Sequence, residues 1–227
     1  MFFTHPVPPA LAGQVDLLWY SQSYAAPHAW ERVLPSGSSQ LVIELAEGSA
    51  PPEFERLRTE VIEIETTRLS NVMGVVMRPG SNLFSPDVEL RQLREHLQEA
   101  PSATAKFALL IADLEQRNRA LPLHPAVACA LAGGTAADTG FSRRWLSQRF
   151  KEQIGVSPKA YARLLRFQRV VQQVAAGQRS EWADVAADLG FADQAHLTHE
   201  FRRFSGLTPA AFLASHRPHA NHVIVPG

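Results

Sequence analysis

Val185-Ala-Ala-Asp-Leu-Gly-Phe-Ala-Asp-Gln-Ala-His-Leu-Thr-His-Glu-Phe-Arg-Arg-Phe-Ser-Gly-Leu-Thr-Pro209 is the stretch on which the fold turns. Val185, Ala186 and Leu189 give a short helix one apolar face, and the small Ala186 lets a partner helix approach closely. Gly190 stands where the chain must reverse, a conformation glycine reaches without a Cβ penalty. Leu197, Phe201 and Phe204 then recur at i, i+4 and i+7, so a second helix turns them inward. Helix, glycine turn and helix make a helix-turn-helix unit.

The unit occurs twice. Thr135-Ala-Ala-Asp-Thr-Gly-Phe141 matches Val185–Phe191 at an offset of 50. Leu146, Phe150, Gly155, Pro158 and Tyr161 match Leu197, Phe201, Gly206, Pro209 and Phe212 at an offset of 51, with one extra residue in the second turn. Internal repetition at this period marks two copies of one supersecondary unit. Between them, Pro158 to Gly177 carries Leu164, Phe167, Val171 and Val174 as an apolar stripe, with Arg163, Arg166 and Arg169 on another arc. That segment reads as a connecting helix. Its arginines are either a solvated face or incidental phosphate contacts.

A helix with its side chains is ~10–12 Å across and fits a DNA major groove ~12 Å wide. The two copies resemble the AraC/XylS transcription regulators of bacteria. The resemblance covers most of 124–216 and rests on Val185–Pro209 together with Ser142-Arg-Arg-Trp-Leu-Ser-Gln-Arg-Phe-Lys-Glu-Gln-Ile-Gly-Val-Ser-Pro158. It implies two helix-turn-helix modules joined by a rigid helix, reading two successive major-groove faces of double-stranded DNA. Base contacts are then expected from Arg144, Ser147 and Gln148 in the first copy, and from Gln194, Ala195, Thr198 and His199 in the second. Arg143, Lys151, Arg202 and Arg203 are expected on phosphates, which position the protein without specifying sequence. The first copy departs from the pattern. Thr135 and Thr139 replace Val185 and Leu189, and Gly133-Gly134 would cost ~1 kcal/mol each within a helix, so this module is expected to be the less stable. Trp145 is expected to pack between helices rather than to lie near phosphates.

The first part of the chain reads as β-rich with one early helix. Leu11, Val15, Leu18 and Trp19 follow Pro8-Pro9 at helical spacing, and Gln40-Leu-Val-Ile-Glu-Leu reads as a strand. Glu60-Val-Ile-Glu-Ile-Glu-Thr-Thr alternates apolar and acidic residues as a half-buried strand does, and Asn71-Val-Met-Gly-Val-Val-Met is placed beside it. Ser85-Pro86 supplies an N-cap for a helix with Leu90, Leu93 and Leu97 on one face. Pro101-Ser102 starts another with Phe107, Leu110, Ile111 and Leu114 inward, and the pair reads as a bridge between the halves. Trp19-Tyr20, Leu34-Pro-Ser-Gly37 and Met77-Arg-Pro-Gly80 faintly resemble the cupin-like sensor modules of the same family, in shortened form.

The expected fold is therefore α+β. It has a β-rich module at 1–84, a helical bridge at 85–122, an all-α double helix-turn-helix domain at 123–216 and a loosely packed tail at 217–227. The resemblance implies double-stranded DNA as partner, and it leaves room for a small-molecule effector at the N-terminal module, for RNA polymerase and for a homodimer.

Composition agrees with that class. Of 227 residues, 45% are hydrophobic and 19% charged, as in ordinary globular chains. The net charge of zero divides unevenly, with ten Lys/Arg against fifteen Asp/Glu in 1–120 and twelve against seven in 121–227. A basic second half suits a polyanionic partner. A single cysteine, Cys129, excludes an internal disulfide framework and fits a reducing cytoplasm, and its apolar surroundings read as core.

No enzyme signature is present: there is no nucleophile elbow, phosphate-cradling loop or dinucleotide turn, and no catalytic residue, cofactor or metal is expected. His199-Glu200 begins like a zinc-protease motif, but position 203 is Arg. His196 and His199 are close enough on one helix to share a metal, with polar surface the preferred reading. The alternative function is a small-molecule-sensing or protein-interaction module with weakened DNA binding.

Overall fold

The computed structural model describes residues 1–24, 28–49, 51–55, 57–66, 70–81, 83–84, 90–118, 123–177, 181–217 and 219–225. In chain order the strands are β1 (Phe2–His5), β2 (Val15–Tyr24), β3 (Trp30–Val33), β4 (Ser39–Glu44), β5 (Glu53–Glu55), β6 (Ile62–Glu65), β7 (Ser70–Met77) and β8 (His222–Val225). The helices are α1 (Arg91–Glu99), α2 (Ala103–Arg117), α3 (Pro125–Leu131), α4 (Ala136–Thr139), α5 (Arg143–Ile154), α6 (Pro158–Ala175), α7 (Trp182–Asp188), α8 (Gln194–Ser205) and α9 (Pro209–Ala214). The architecture is α+β, with the strands mainly in the first third and the C-terminal part helical.

These elements form two compact units that interleave along the chain. One comprises Met1–Ala25, Ser38–Leu57 and Arg68–Gly155; the other comprises Ala26–Gly37, Arg58–Thr67 and Val156–Gly227. The boundaries expected from the sequence run in simple chain order. The exchange arises because β3 pairs on one side with β6 and on the other with β8.

In the first unit an antiparallel sheet has the order β1-β2-β7-β4-β5. Its buried face carries Val15, Leu18, Tyr20, Leu41, Ile43, Met73, Val75 and Met77. The same core contains Leu93 and Leu97 of α1 and Phe107, Leu110 and Leu114 of α2, so these helices are a layer on the sheet rather than a bridge. Each such side chain contributes roughly 1.5–3 kcal/mol of burial. Ser102 caps α2 by accepting the Ala105 N–H at 3.2 Å. The expected Ser85-Pro86 cap lies outside the described residues.

The early helix is instead a 3-10 turn at Pro9–Leu11 followed by β2. A register shift between Val15 and Leu17 explains the error. The irregularity moves the inward phase by one residue, so Val15 and Leu18 are both buried at a spacing that imitates a helix. The 40–45 strand is confirmed as β4, whereas β6 and β7 do not pair. β7 lies between β2 and β4, and β6 is an edge strand exposed along its whole length rather than half-buried.

In the second unit α6 buries Leu164, Phe167, Val171 and Val174, the stripe read from the sequence, together with Tyr161, Gln168 and Val170. Phe167 packs on Phe201 and Phe204 of α8, with ring centres 5.0 and 5.2 Å apart. The expected loose tail contains β8, paired antiparallel with β3. Its anchor is Glu31, 4% exposed, which accepts hydrogen bonds from His222 Nδ1 at 2.7 Å and His28 Nε2 at 2.6 Å. These bonds, that of His222 first, hold the Glu31 carboxyl below its ordinary range against the opposing effect of burial.

Candidate nucleic-acid interface

The first helix-turn-helix is built by α4 and α5, with α3 beside them. Gly133, at φ +94°, follows the end of α3, and a Cβ on Gly134 would collide with the Cys129 side chain. The two glycines therefore end one helix rather than sitting within one. Cys129 is half-buried. α4 starts only at Ala136, behind a capping box in which Asp138 Oδ2 accepts from the Thr135 N–H at 2.7 Å and its hydroxyl at 2.8 Å. Those two bonds hold the Asp138 carboxyl below its usual range. Gly140 makes the turn at φ +72°. Ser142 then caps α5, accepting the Trp145 N–H at 3.2 Å.

α5 turns Leu146, Phe150 and Ile154 into the core. Arg143, Arg144, Gln148 and Lys151 are exposed and Ser147 is half-buried, the separation of faces expected from the sequence. One carboxylate interrupts the basic face. Glu152 accepts from Gln148 Nε2 at 3.1 Å and from Arg149 at 3.0 Å. Trp145 stacks on Phe141 with centres 3.9 Å apart and meets His124 edge-on at 4.9 Å, so its role is packing.

The second helix-turn-helix follows the same plan with more buried surface. α7 buries Val185 and Ala186, Gly190 turns at φ +73°, and Phe191 is 7% exposed. Asp193 caps α8 by accepting the His196 N–H at 2.7 Å. α8 buries Leu197, Phe201 and Phe204 as expected. Gln194, Ala195, His199, Arg202 and Arg203 are exposed, and Thr198 is half-buried. His196 Nδ1 accepts the Ala192 N–H at 3.1 Å and its ring meets Phe191 edge-on, so it belongs to the turn.

Two arginine roles differ from the sequence reading. Arg163 is neither solvated nor free for phosphate: its guanidinium forks onto both carboxylate oxygens of buried Glu200, one bond measuring 2.5 Å. That bidentate bond holds the Glu200 carboxyl below its usual range, overcoming the effect of burial. Arg166 donates to the Gly190 carbonyl at 2.8 Å and lies over the Phe191 ring at 5.3 Å, fastening the turn. Arg169 stays exposed. Glu200 was detectable in sequence, because it occupies the i+3 place of a stripe formed by Leu197, Phe201 and Phe204.

Residues 135–215 match the family model described as a helix-turn-helix domain. A Streptomyces lividans protein described as an AraC-like transcription regulator is 29% identical over 121 residues. This chain carries a helix-turn-helix domain. The alignment takes in 53% of this chain and 40% of the relative, so the chain matches well under half of that protein's length. Two crystal structures of ToxT from Vibrio cholerae superpose at TM-scores of 0.41 and 0.39 with 11% and 10% identity. They cover 94% and 88% of this chain and 97% and 94% of their own. Likeness at that level carries no argument about function. The matched helix-turn-helix domain takes in α4 to α9, and both glycine turns fall within the matched residues. No helix among the described residues is long and apolar enough to cross a membrane.

Proposed function

We propose that the chain is a sequence-specific DNA-binding transcription regulator whose α5 and α8 read two successive major-groove half-sites, about one helical turn (~34–36 Å) apart. The observation that carries this reading is the division of faces on each recognition helix. In both, the apolar core residues are buried, and the residues expected at base edges and phosphates are exposed apart from the half-buried Ser147 and Thr198. Arg144, Ser147 and Gln148 read one half-site, and Gln194, Ala195, Thr198 and His199 the other. Arg143, Lys151, Arg202 and Arg203 fix register on phosphates. A small-molecule effector at the N-terminal module is part of the proposal.

Selection of bound duplexes from a random pool, followed by affinity measurement across a salt series, tests it. A regulator of this kind enriches a bipartite site, and log affinity falls by roughly 0.9 per phosphate contact for each unit of log salt. Arg144→Ala relaxes preference at one base position, at a cost of about 1–3 kcal/mol against the preferred base. Arg202→Ala weakens all duplexes alike and lowers the salt slope by about 1. A flat salt response with no enriched site would favour a sensing or interaction module instead. The favouring observation for that second reading is α4, four residues long with none buried.

A further inference from the structure

Within the first unit, a cavity of about 540 Å³ lies between the sheet and the turn from α1 to α2. That volume is within the ~300–1,000 Å³ common for small-molecule sites. Phe3 and Tyr20, stacked with centres 6.0 Å apart, and Leu45 give it apolar surface. Tyr20 donates to Asn71 Oδ1 at 3.3 Å and Gln98 Nε2 donates to the Leu45 carbonyl at 3.2 Å, which fixes two polar groups on its lining.

Among the described residues lining the cavity, the one charged group is a buried lysine. Lys106 is 8% exposed, and its ammonium donates to the Leu97 carbonyl. An ammonium has three donors, and a carbonyl takes only one of them. None of the described residues lining the cavity is acidic. Burial alone pushes the Lys106 amine below its ordinary range, as expected of a cation without a compensating anion. The first turn of the fifteen-residue α2 opens on the same cavity through Ser102, Ala103 and Thr104. Ser102 satisfies the Ala105 N–H, whereas the Ala103 and Thr104 N–H groups have no intrahelical acceptor and stand at the positive end of the helix.

We propose that this cavity binds a small organic monocarboxylate with an apolar body, its carboxylate held by Lys106 and the α2 N-terminus and its body laid against Phe3, Tyr20 and Leu45. A neutral ligand would leave the ammonium uncompensated, and a cation would add repulsion to it. The binding itself does not depend on the DNA-reading function, but any regulatory consequence rests on that proposal.

Calorimetry on the full chain without DNA tests the site alone, using 3-phenylpropanoate, its neutral amide and the corresponding primary amine as probes. The acid is expected to bind with Kd of about 1 mM or better, roughly tenfold tighter than the amide, with no binding of the amine. Lys106→Met brings the acid to the level of the amide. Thr104→Trp, a change at an exposed position on the rim, blocks both and keeps the test decisive if the lysine variant does not fold. Equal affinity for acid and amide, an acid preference that survives Lys106→Met, or binding unaffected by Thr104→Trp would each overturn the site. Because DNA is absent, failure here leaves the DNA-reading proposal standing, and failure in the duplex selection leaves this site standing.

Discussion

The two helix-turn-helix modules share a plan but differ in how firmly it is held. α7 has seven residues, buries Val185 and Ala186, and is followed by Phe191 at 7% exposure. α4 has four residues, buries none, and is followed by Phe141 at 41% exposure. The residues ahead of the repeat cause much of this. Trp182-Ala-Asp184 add a turn to α7, whereas Gly133 and Gly134 occupy the matching places and end α3. Position 149, equivalent to 200 in the repeat, shows the same contrast. Glu200 is buried and clamped by Arg163, while Arg149 pairs at the surface with Glu152. A shared pattern of apolar residues specifies topology, and the buried polar pairs and the length of the first helix decide rigidity.

The comparison can be broken most easily at Glu200. Glu200→Gln leaves the half-buried Arg163 without its anion and is expected to cost about 3 kcal/mol in urea unfolding of the second module. A loss below about 1 kcal/mol would mean that the ion pair is not what separates the modules. The Glu200 carboxyl has a lowered folded-state pKa, so its stabilisation is complete above the ordinary carboxylate range and is lost as pH falls through the lowered value. The wild type should therefore show an acid-side loss of stability that is reduced in the Gln variant. Arg166→Ala removes the bond to Gly190 and the contact with Phe191, an expected loss of about 1–2 kcal/mol. Amide exchange should locate that loss at the turn between α7 and α8.

In the first module, Glu152→Ala releases Gln148 and Arg149 and removes one negative charge from α5. DNA affinity is expected to rise by roughly two- to fivefold, from less than ~1 kcal/mol, as measured by titration at fixed salt. Unchanged or weaker binding would show that Glu152 orients these side chains productively. The smallest effect is expected from Asp138→Ala, which removes the capping box of α4. Hydrogen exchange should quicken in α4 and remain unchanged in α7, with little shift in the global unfolding midpoint.

The second recognition helix and the connecting helix were legible because their apolar residues repeat at the helical period, and Gly140 and Gly190 both adopt the positive φ that their turn positions require. The β-rich part was legible only in pieces. The alternation of β6 gave the strand but not its partner, since period 2 says which side chains share a face and nothing about which strand lies alongside. β2 was misread because the irregularity at Val15–Leu17 gave two buried residues a helical spacing. Arg163 and Arg166 were correctly separated from the stripe of α6, yet their partners lie 37 and 24 residues away in α8 and the turn before it.

By itself the chain's order of residues determined the repeated unit, the buried faces of α5, α6 and α8 and the polar residues opposite them, because these follow from local periodicity and turn chemistry. Tertiary structure decided that α1 and α2 cover the sheet, that β8 joins β3 through Glu31, and that Lys106 is enclosed in a cavity whose described lining residues include no acid. Such features depend on segments far apart in sequence meeting in space, and neither spacing nor propensity encodes which distant group a buried charge will find.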